Sequence, residues 1–338
     1  MSINKTAKQE ALAKQKEPRR KGGKRKKQSP VPMRDGVSAS RVWLPKLGDT
    51  KNSSEKYGQW ATMLDFMSDR FPFISRELHA QRMNEGLVVS ETGEAISPLT
   101  LYQPEIHLFY YREIPGEPDI PFQEKILFKD DAIIVVDKPH FIPVTPTSRI
   151  VRECLLSRLK QRFQNEEISP LHRLDRETAG VIIYGCNAKI RGAYQYLFET
   201  RQIKKIYEAI ARAPKADLEF PYTHRSHLAS SENPFFIMEE KNVLTPNTET
   251  VMNIIETKGD LARYKLEPIT GKQHQLRVHM AAIGSPILND PFYPELMPSK
   301  GDDYSKPLQL LAKSIQFTDP ITNEERFFES EIKLGELI

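Results

Sequence analysis

The chain has 338 residues, 28% of them charged, and a formal net charge of +4. This length accommodates two domains, and no apolar run approaches the roughly 18 residues that a membrane-spanning helix needs. The two cysteines, Cys154 and Cys186, lie in apolar segments, so the sequence predicts buried reduced thiols in a cytoplasmic protein rather than a disulfide framework.

The first 30 residues carry the basic character of the chain. They hold eleven Lys or Arg and two Glu, a net charge of +9, so the remaining 308 residues carry −5. This segment has too few apolar residues to offset its ordering entropy, and it lacks the apolar stretch of a secretory signal. We predict a disordered basic tail over residues 1–32 that contacts nucleic-acid phosphates; a tail that only adds solubility is the alternative.

Residues 33–113 have the pattern of a small α/β accessory domain. The predicted elements are an amphipathic helix with Trp60, Met63, Leu64 and Met67 on one face, a second helix from a Ser75 cap to Asn84, a hairpin at Thr92-Gly93, and a strand over 106–111. Residues 114–118 contain two prolines and a glycine and predict a linker.

Residues 119–338 alternate apolar β-rich runs with helical patterns, which indicates an α+β or α/β domain. Buried strands are predicted at 133–136 and 181–184, and a helix is predicted at 187–204. A segment near residue 276 fits both a strand and a helix. We favour the helix because it puts Leu276, Met280 and Ile283 on one stripe, with His274 and Arg277 on another face.

The most informative segment is residues 172–180, with the sequence HRLDRETAG. It places Asp175 between Arg173 and Arg176, and two neighbouring cations are expected to keep a carboxylate ionised, as a carboxylate nucleophile requires. Taken alone, an Asp flanked by Arg is more often a solvated turn or a structural ion pair. The other motifs of the chain decide between these interpretations.

Together these motifs resemble the signatures of the RluA-type RNA pseudouridine synthases, over roughly residues 119 to 330. The matching segments, in the order of the family, are residues 131–139, 172–180, 204–209, 268–287 and 308–312. The resemblance implies an α+β fold with a curved, mixed, mostly antiparallel sheet and a central cleft. It also implies that the small domain at 33–113 is RNA-binding-like, although that match is degenerate and a structural cap is the alternative.

The resemblance also implies the chemistry, which moves the uracil of a uridine from its nitrogen–ribose bond to a carbon-5 bond. Asp175 would be the catalytic carboxylate, either attacking the ribose or removing its carbon-2 proton; Tyr207 would stack on the uracil and relay a proton; Arg277 would pair with Asp175. Arg173 would fill the gap that the flipped nucleotide leaves. The substrate-binding residues would be His172, Arg173, Arg176, Thr178, Lys272, His274, Leu276 and Leu311, the two leucines walling the pocket.

No cofactor and no metal are expected, and the partner would be ribosomal or transfer RNA bound by a monomer. Lys272-Gln273 replaces the usual Arg-Thr, and Ala179 replaces a common Ser. A helix N-terminus at 270–272 would suit a phosphate.

Two other functions remain open at this level. One is a non-catalytic RNA-binding or ribosome-assembly protein; retention of Asp175, Tyr207 and Arg277 argues against it. The other is a nucleosidase or base-excising glycosylase, which normally needs a second carboxylate to deliver water. None is evident in the motifs, and release of free uracil would distinguish this activity.

Overall fold

A computed structural model describes residues 31–47, 60–112, 114, 116–215, 217–233, 237–242, 245–297 and 303–337. The basic tail predicted for residues 1–32 lies outside these ranges except for its last two residues. The chain forms two compact units, whose described parts are Val31–Pro32 with Val42–Phe109, and Met33–Arg41 with Tyr110 onward. Residues 33–41, which the sequence assigned to the accessory domain, therefore group with the larger unit.

The smaller unit contains helices α1 (Met63–Arg70) and α2 (Arg76–Asn84). A three-stranded sheet, most of whose residues belong to this unit, has the order β1-β3-β2, with strands β1 (Ser40–Trp43), β2 (Val88–Val89) and β3 (His107–Tyr110). Ser75 caps α2, as predicted. The prediction that Trp60 belongs to the first helix is wrong, because Thr62 forms a capping box with Asp65 and starts α1 at Met63.

The larger unit is built on one eleven-stranded sheet. Its strands are β4 (Lys125–Lys129), β5 (Ile133–Lys138), β6 (Ser169–Pro170), β7 (Ala179–Gly185), β8 (Lys204–Arg212), β9 (Tyr222–Ser230), β10 (Met238–Lys241), β11 (Thr248–Lys258), β12 (Leu261–Pro268), β13 (Leu310–Thr318) and β14 (Glu325–Glu329). The order is β10-β9-β11-β12-β8-β13-β7-β5-β4, with β14 on β13 and β6 on β7. Strands β7 and β13 run parallel and the other pairs are antiparallel. This confirms the α+β class and the mixed, mostly antiparallel sheet.

The described part of the larger unit contains the helices α3 (Leu155–Phe163), α4 (Ala188–Glu199) and α5 (Gln275–Ala282). The predicted helix over 187–204 begins correctly, since Asn187 is the N-cap, but ends at Glu199. Lys204 instead opens β8, where the alternation of Ile206–Ala211 belongs to the sheet. The helical interpretation of the segment near residue 276 is confirmed by α5.

Two hydrophobic clusters on the sheet meet at Tyr207 of β8. One combines β5 and β7 with Leu155 and Leu159 of α3, and the other combines β8 and β12 with Leu276 and Met280 of α5. The Tyr207 side chain packs against both clusters. The middle of β8 is therefore the place where a cleft across the sheet would expose a polar group between two apolar walls.

Candidate active site

The loop that carries Asp175 connects β6 to β7 and is fixed at its end by Gly180. Gly180 has φ +109°, and a Cβ there would lie 2.2 Å from the carbonyl oxygen of Ala312 on β13. The turn is closed by the Thr178 N–H, which donates to the Asp175 carbonyl over 3.2 Å. The glycine that ends the HRLDRETAG motif is thus required by the close parallel approach of β7 and β13.

Lys138, at the end of β5, is hydrogen-bonded to the same loop. Its side chain is fully buried, and Nζ donates to the carbonyls of Pro139 and Ile142 at 2.9 Å and of Arg176 at 3.0 Å. Burial lowers the pKa of Lys138 to about 7, against the opposing charges of Glu177 and Asp175. No sequence pattern predicted a role for Lys138, although a lysine that ends a mostly apolar strand was a usable signal.

Arg277 of α5 joins two carboxylates. Its Nη1 donates to Asp175 Oδ2 over 3.2 Å, while Nε and Nη2 donate to the two oxygens of Asp290 over 2.8 and 2.6 Å. Burial alone would lower the pKa of Arg277, but the hydrogen bonds and charge of Asp290, followed by Asp175, raise it above its usual value. Arg277 and Asp290 are each about 1% exposed, whereas the Asp175 side chain is 26% exposed. The fixed cation therefore orients the one carboxylate that solvent can reach.

The arginines on either side of Asp175 do not form this ion pair. Arg176 donates from Nε to the Phe141 carbonyl over 3.0 Å, and its Nη1 lies 3.6 Å from Glu177. Arg173 is exposed and makes no hydrogen bond or ion pair within the described ranges. The expected direct pairing of either arginine with Asp175 is therefore not seen among the described residues, because the turn at 175–178 directs their side chains elsewhere.

Tyr207 stands close enough to Asp175 for the carboxylate charge to act on it. Burial, and then the charge of Asp175, raise the pKa of Tyr207 well above its ordinary value, so the phenol stays protonated at neutral pH. The hydroxyl has no hydrogen-bond partner among the residues that the structure describes, although the ring packs against both clusters. This combination suits a group that meets a substrate.

The remaining substrate-binding candidates lie in different surroundings. His274 is the N-cap residue before α5, with Nε2 3.7 Å from Asp175 Oδ1, and Leu276 lies in the cluster beside Tyr207. Thr178 is buried in the Asp175 turn, and the Lys272 side chain is exposed. His172 Nε2 accepts the Ile183 N–H over 3.2 Å and its ring lies against Phe198. Burial lowers the pKa of His172 to about 3, so it is a neutral group tied to β7.

Leu311 does not wall the site. It pairs with Glu208 across β13 and β8, while Ala312 pairs with Tyr207, so Leu311 faces the opposite side of the sheet. There it packs with Ala179, Leu334 and Leu337. The prediction fails because a one-residue change of position along a strand reverses the face, and Leu310 and Ala312 take the positions beside Tyr207.

One grouping could hold a metal ion in the described part of the chain. His224, Glu240 and His279 offer ligand atoms within 4.8 Å of one another, from β9, β10 and α5. These atoms already form hydrogen bonds: His224 Nε2 contacts Glu240 Oε1 at 2.8 Å, and His279 contacts Thr250, Thr248 and Ser226. Sequence spacing could not show this grouping because its members are far apart in the chain.

Comparisons with known proteins show which family and fold the chain resembles. Residues 132–282 match the family model described as RNA pseudouridylate synthase. The dual-specificity RNA pseudouridine synthase RluA of Haemophilus influenzae is 30% identical over 216 residues, which cover 61% of this chain and 92% of that protein. An uncharacterized RNA pseudouridine synthase of Synechocystis is 28% identical over 235 residues, covering 68% of this chain and 79% of that protein. The human RNA pseudouridylate synthase domain containing 1 has a similar fold, with a TM-score of 0.53 at 21% identity, over 64% of this chain and 86% of that one.

The sheet, the Asp175 loop and these matches define an RNA pseudouridine synthase, an isomerase that converts uridine to pseudouridine in RNA. Within that class, the chain belongs to the RluA-type family. None of the helices in the described ranges has the length and apolar character that crossing a membrane requires.

Proposed function

We propose that Asp175 is the catalytic carboxylate and that Arg277 holds it ionised and aimed. The observation that carries this assignment is the chain of contacts from Asp290 through Arg277 to Asp175. Two buried, short hydrogen bonds fix the guanidinium, and its third contact goes to a carboxylate that remains partly open to solvent. A carboxylate held this way can attack ribose carbon 1 or remove the proton on carbon 2.

Tyr207 supplies the second chemical group. Its ring, packed between the two apolar clusters, would give a face on which the uracil stacks, and none of the described residues forms a hydrogen bond with its hydroxyl. A phenol that stays neutral can relay a proton if it accepts one from carbon 5 while its own proton passes to a water molecule. Tyr207→Phe keeps the ring and is expected to slow product formation by about 10²–10⁴. A rate equal to that of the parent protein would leave the hydroxyl without a role.

Rearrangement fits this site better than hydrolysis. Two carboxylates lie near Asp175. Asp290 accepts from Arg277 and from the backbone N–H groups of Phe292 and Tyr293, and Glu177 lies 3.6 Å from Arg176 Nη1. Both are engaged by an arginine, whereas a glycosylase would require a carboxylate free to activate a water. The reaction is therefore expected to release no free uracil.

The substrates that we propose are specific uridines in ribosomal or transfer RNA. Relatives include a yeast tRNA pseudouridine(31) synthase, 29% identical over 214 residues. Residues 33–113 and the basic tail would add RNA contacts, and exposed Arg173 would enter the gap left by the flipped nucleotide. We further propose that the protein is a monomer that acts in the cytoplasm.

A position-resolved pseudouridine map tests the substrate assignment. Ribosomal and transfer RNA are compared from cells with the gene, without it, and with the gene encoding Asp175→Asn or Asp131→Asn. Asp131 is an exposed carboxylate, so its variant is the matched control. We expect one or a few sites to disappear without the gene and with Asp175→Asn, and to return with Asp131→Asn. An unchanged map in every strain would overturn the assignment to these RNAs.

A further inference from the structure

Tyr293 and His274 form a hydrogen-bonded pair beside the catalytic loop. The Tyr293 hydroxyl lies 3.2 Å from the Met238 N–H, 3.2 Å from the Met238 carbonyl oxygen and 3.0 Å from His274 Nδ1. A phenol has one proton to donate, and the Met238 carbonyl can only accept. The proton that satisfies all three contacts goes to that carbonyl, so the hydroxyl oxygen accepts from the Met238 N–H and from His274 Nδ1–H.

This arrangement fixes the tautomer of His274. With the proton on Nδ1, the other ring nitrogen, Nε2, carries a lone pair. The ring is 6% exposed and is held by Phe292, stacked at 5.8 Å, and by Tyr293, perpendicular at 5.6 Å. Burial, with a contribution from the charge of Arg277, lowers the pKa of His274 despite the opposing charge of Asp175, which keeps the imidazole neutral at neutral pH.

His274 Nε2 then faces another acceptor. It lies 3.7 Å from Asp175 Oδ1, beyond hydrogen-bond distance, and with the ring proton on Nδ1 it cannot donate to that oxygen. Two fixed acceptors at this separation are satisfied together by one donor placed between them. The Asp175 carboxylate is 26% exposed, so a substrate group can reach this position.

We propose that His274 Nε2 and Asp175 Oδ1 jointly receive the ribose 2′-hydroxyl of the target uridine, and that Tyr293 is the positioning residue that prepares this acceptor. The proposal rests on the proposed role of Asp175. Asp175 acts at ribose carbon 1 or carbon 2, and the 2′-hydroxyl is the donor closest to both. The uracil N3–H belongs to the base, which turns during the reaction, whereas the 2′-hydroxyl stays with the ribose. The same contact lets the site distinguish RNA from DNA.

The tautomer is measured directly on the free protein. The full chain is labelled with ¹⁵N-histidine, and the His274 signals are assigned by difference with His274→Gln. At neutral pH we expect Nδ1 to be protonated and Nε2 to be unprotonated, and Tyr293→Phe to change this distribution. A proton on Nε2 in the parent protein would overturn the proposal, whether or not the enzyme is active.

The substrate contact is tested by a cycle of protein and RNA changes. An oligonucleotide containing a uridine identified by the map is compared with one carrying 2′-deoxyuridine there. For the parent protein and for the control His227→Leu, removal of the hydroxyl is expected to lower kcat/KM by about 10–100-fold, the loss of one buried hydrogen bond. For His274→Leu the deoxy penalty is expected to fall to about threefold or less, and His274→Gln, which can offer an amide oxygen, restores part of it.

The outcomes separate this proposal from the proposed function. Equal deoxy penalties for the parent protein and His274→Leu would refute the His274 contact while conversion of uridine still supports the enzyme assignment. Failure of the parent protein to convert the uridine oligonucleotide would count against the function instead. The ¹⁵N measurement decides the tautomer even when a His274 variant does not fold.

Discussion

Replacing Arg277 by lysine keeps one positive charge but removes the planar fork that joins two carboxylates. Arg277 makes three hydrogen bonds, at 2.8 and 2.6 Å to Asp290 and at 3.2 Å to Asp175. A single ammonium group on a flexible stem cannot reproduce this geometry, so at least one carboxylate loses its partner. Because Asp290 is only 1% exposed, an unpaired charge there is costly.

The size of the effect follows from the burial. Breaking a buried ion pair by removing one partner costs about 3–5 kcal/mol, and lysine recovers part of that. We therefore expect Arg277→Lys to lower the free energy of unfolding by about 3 kcal/mol in urea titrations. We also expect kcat to fall by about 10² or more, since Asp175 loses its orientation.

The matched control is Arg225→Lys. Arg225 also makes a bidentate pair, with both Glu249 oxygens at 3.1 Å, but its side chain is 59% exposed. Solvent screens that pair, so the control is expected to leave the urea midpoint and the reaction rate nearly unchanged. If the two lysine variants show the same urea midpoint and the same rate, the buried hydrogen bonds of Arg277 to Asp290 and Asp175 neither stabilise the fold nor orient Asp175.

Three further predictions concern backbone, pH and the tail. Gly180→Ala would put a Cβ against the Ala312 carbonyl, so it is expected to lower the urea midpoint and the activity. The control Gly192→Ala on α4, where a Cβ would meet nothing within 4 Å, is expected to be neutral or stabilising. Equal urea midpoints for the two variants would contradict the strand-packing argument. Burial lowers the pKa of His172 to about 3 and of His140 and His279 to about 4. Below about pH 6.5 these histidines therefore bind protons in the unfolded chain but not in the folded chain. Each histidine should lower the free energy of unfolding by up to about 1.4 kcal/mol per pH unit between pH 6.5 and 4. A free energy of unfolding that rises on acidification over this range would refute this prediction. Deleting residues 1–30 removes a net charge of +9 and should reduce the slope of log affinity against log salt by about 0.7–0.9 per lost RNA contact; identical slopes would mean that the tail only adds solubility.

Local sequence patterns predicted those helices and strands whose structure is determined by their own residues. The α2 cap at Ser75, the buried strands β5 and β7, and the helix α5 follow from side-chain spacing and capping chemistry. The end of α4 was misplaced because helical spacing continues into residues that the sheet takes for β8. Tertiary pairing decided that boundary, and no local pattern records it.

The site shows the same division. The motif located Asp175, and the family resemblance proposed Arg277 and Tyr207, which the fold brings to one place. Neither the motif nor the family resemblance pointed to Asp290. Its role depends on a buried hydrogen bond from Arg277, which is 13 residues away in the sequence. Tyr293 escaped notice for a similar reason, since only the fold brings its hydroxyl to the His274 ring.

The most direct test of the account is the reaction of Asp175→Asn on RNA labelled with tritium at uracil carbon 5. The amide is nearly the same size as the carboxylate but can neither attack the ribose nor accept its proton, so the parent protein should release tritium and form pseudouridine while the variant does neither, with RNA binding and the urea midpoint nearly unchanged. Asp131→Asn, the exposed control, should retain the parent rate. Turnover by Asp175→Asn within tenfold of the parent protein would contradict the assignment of Asp175 as the catalytic carboxylate.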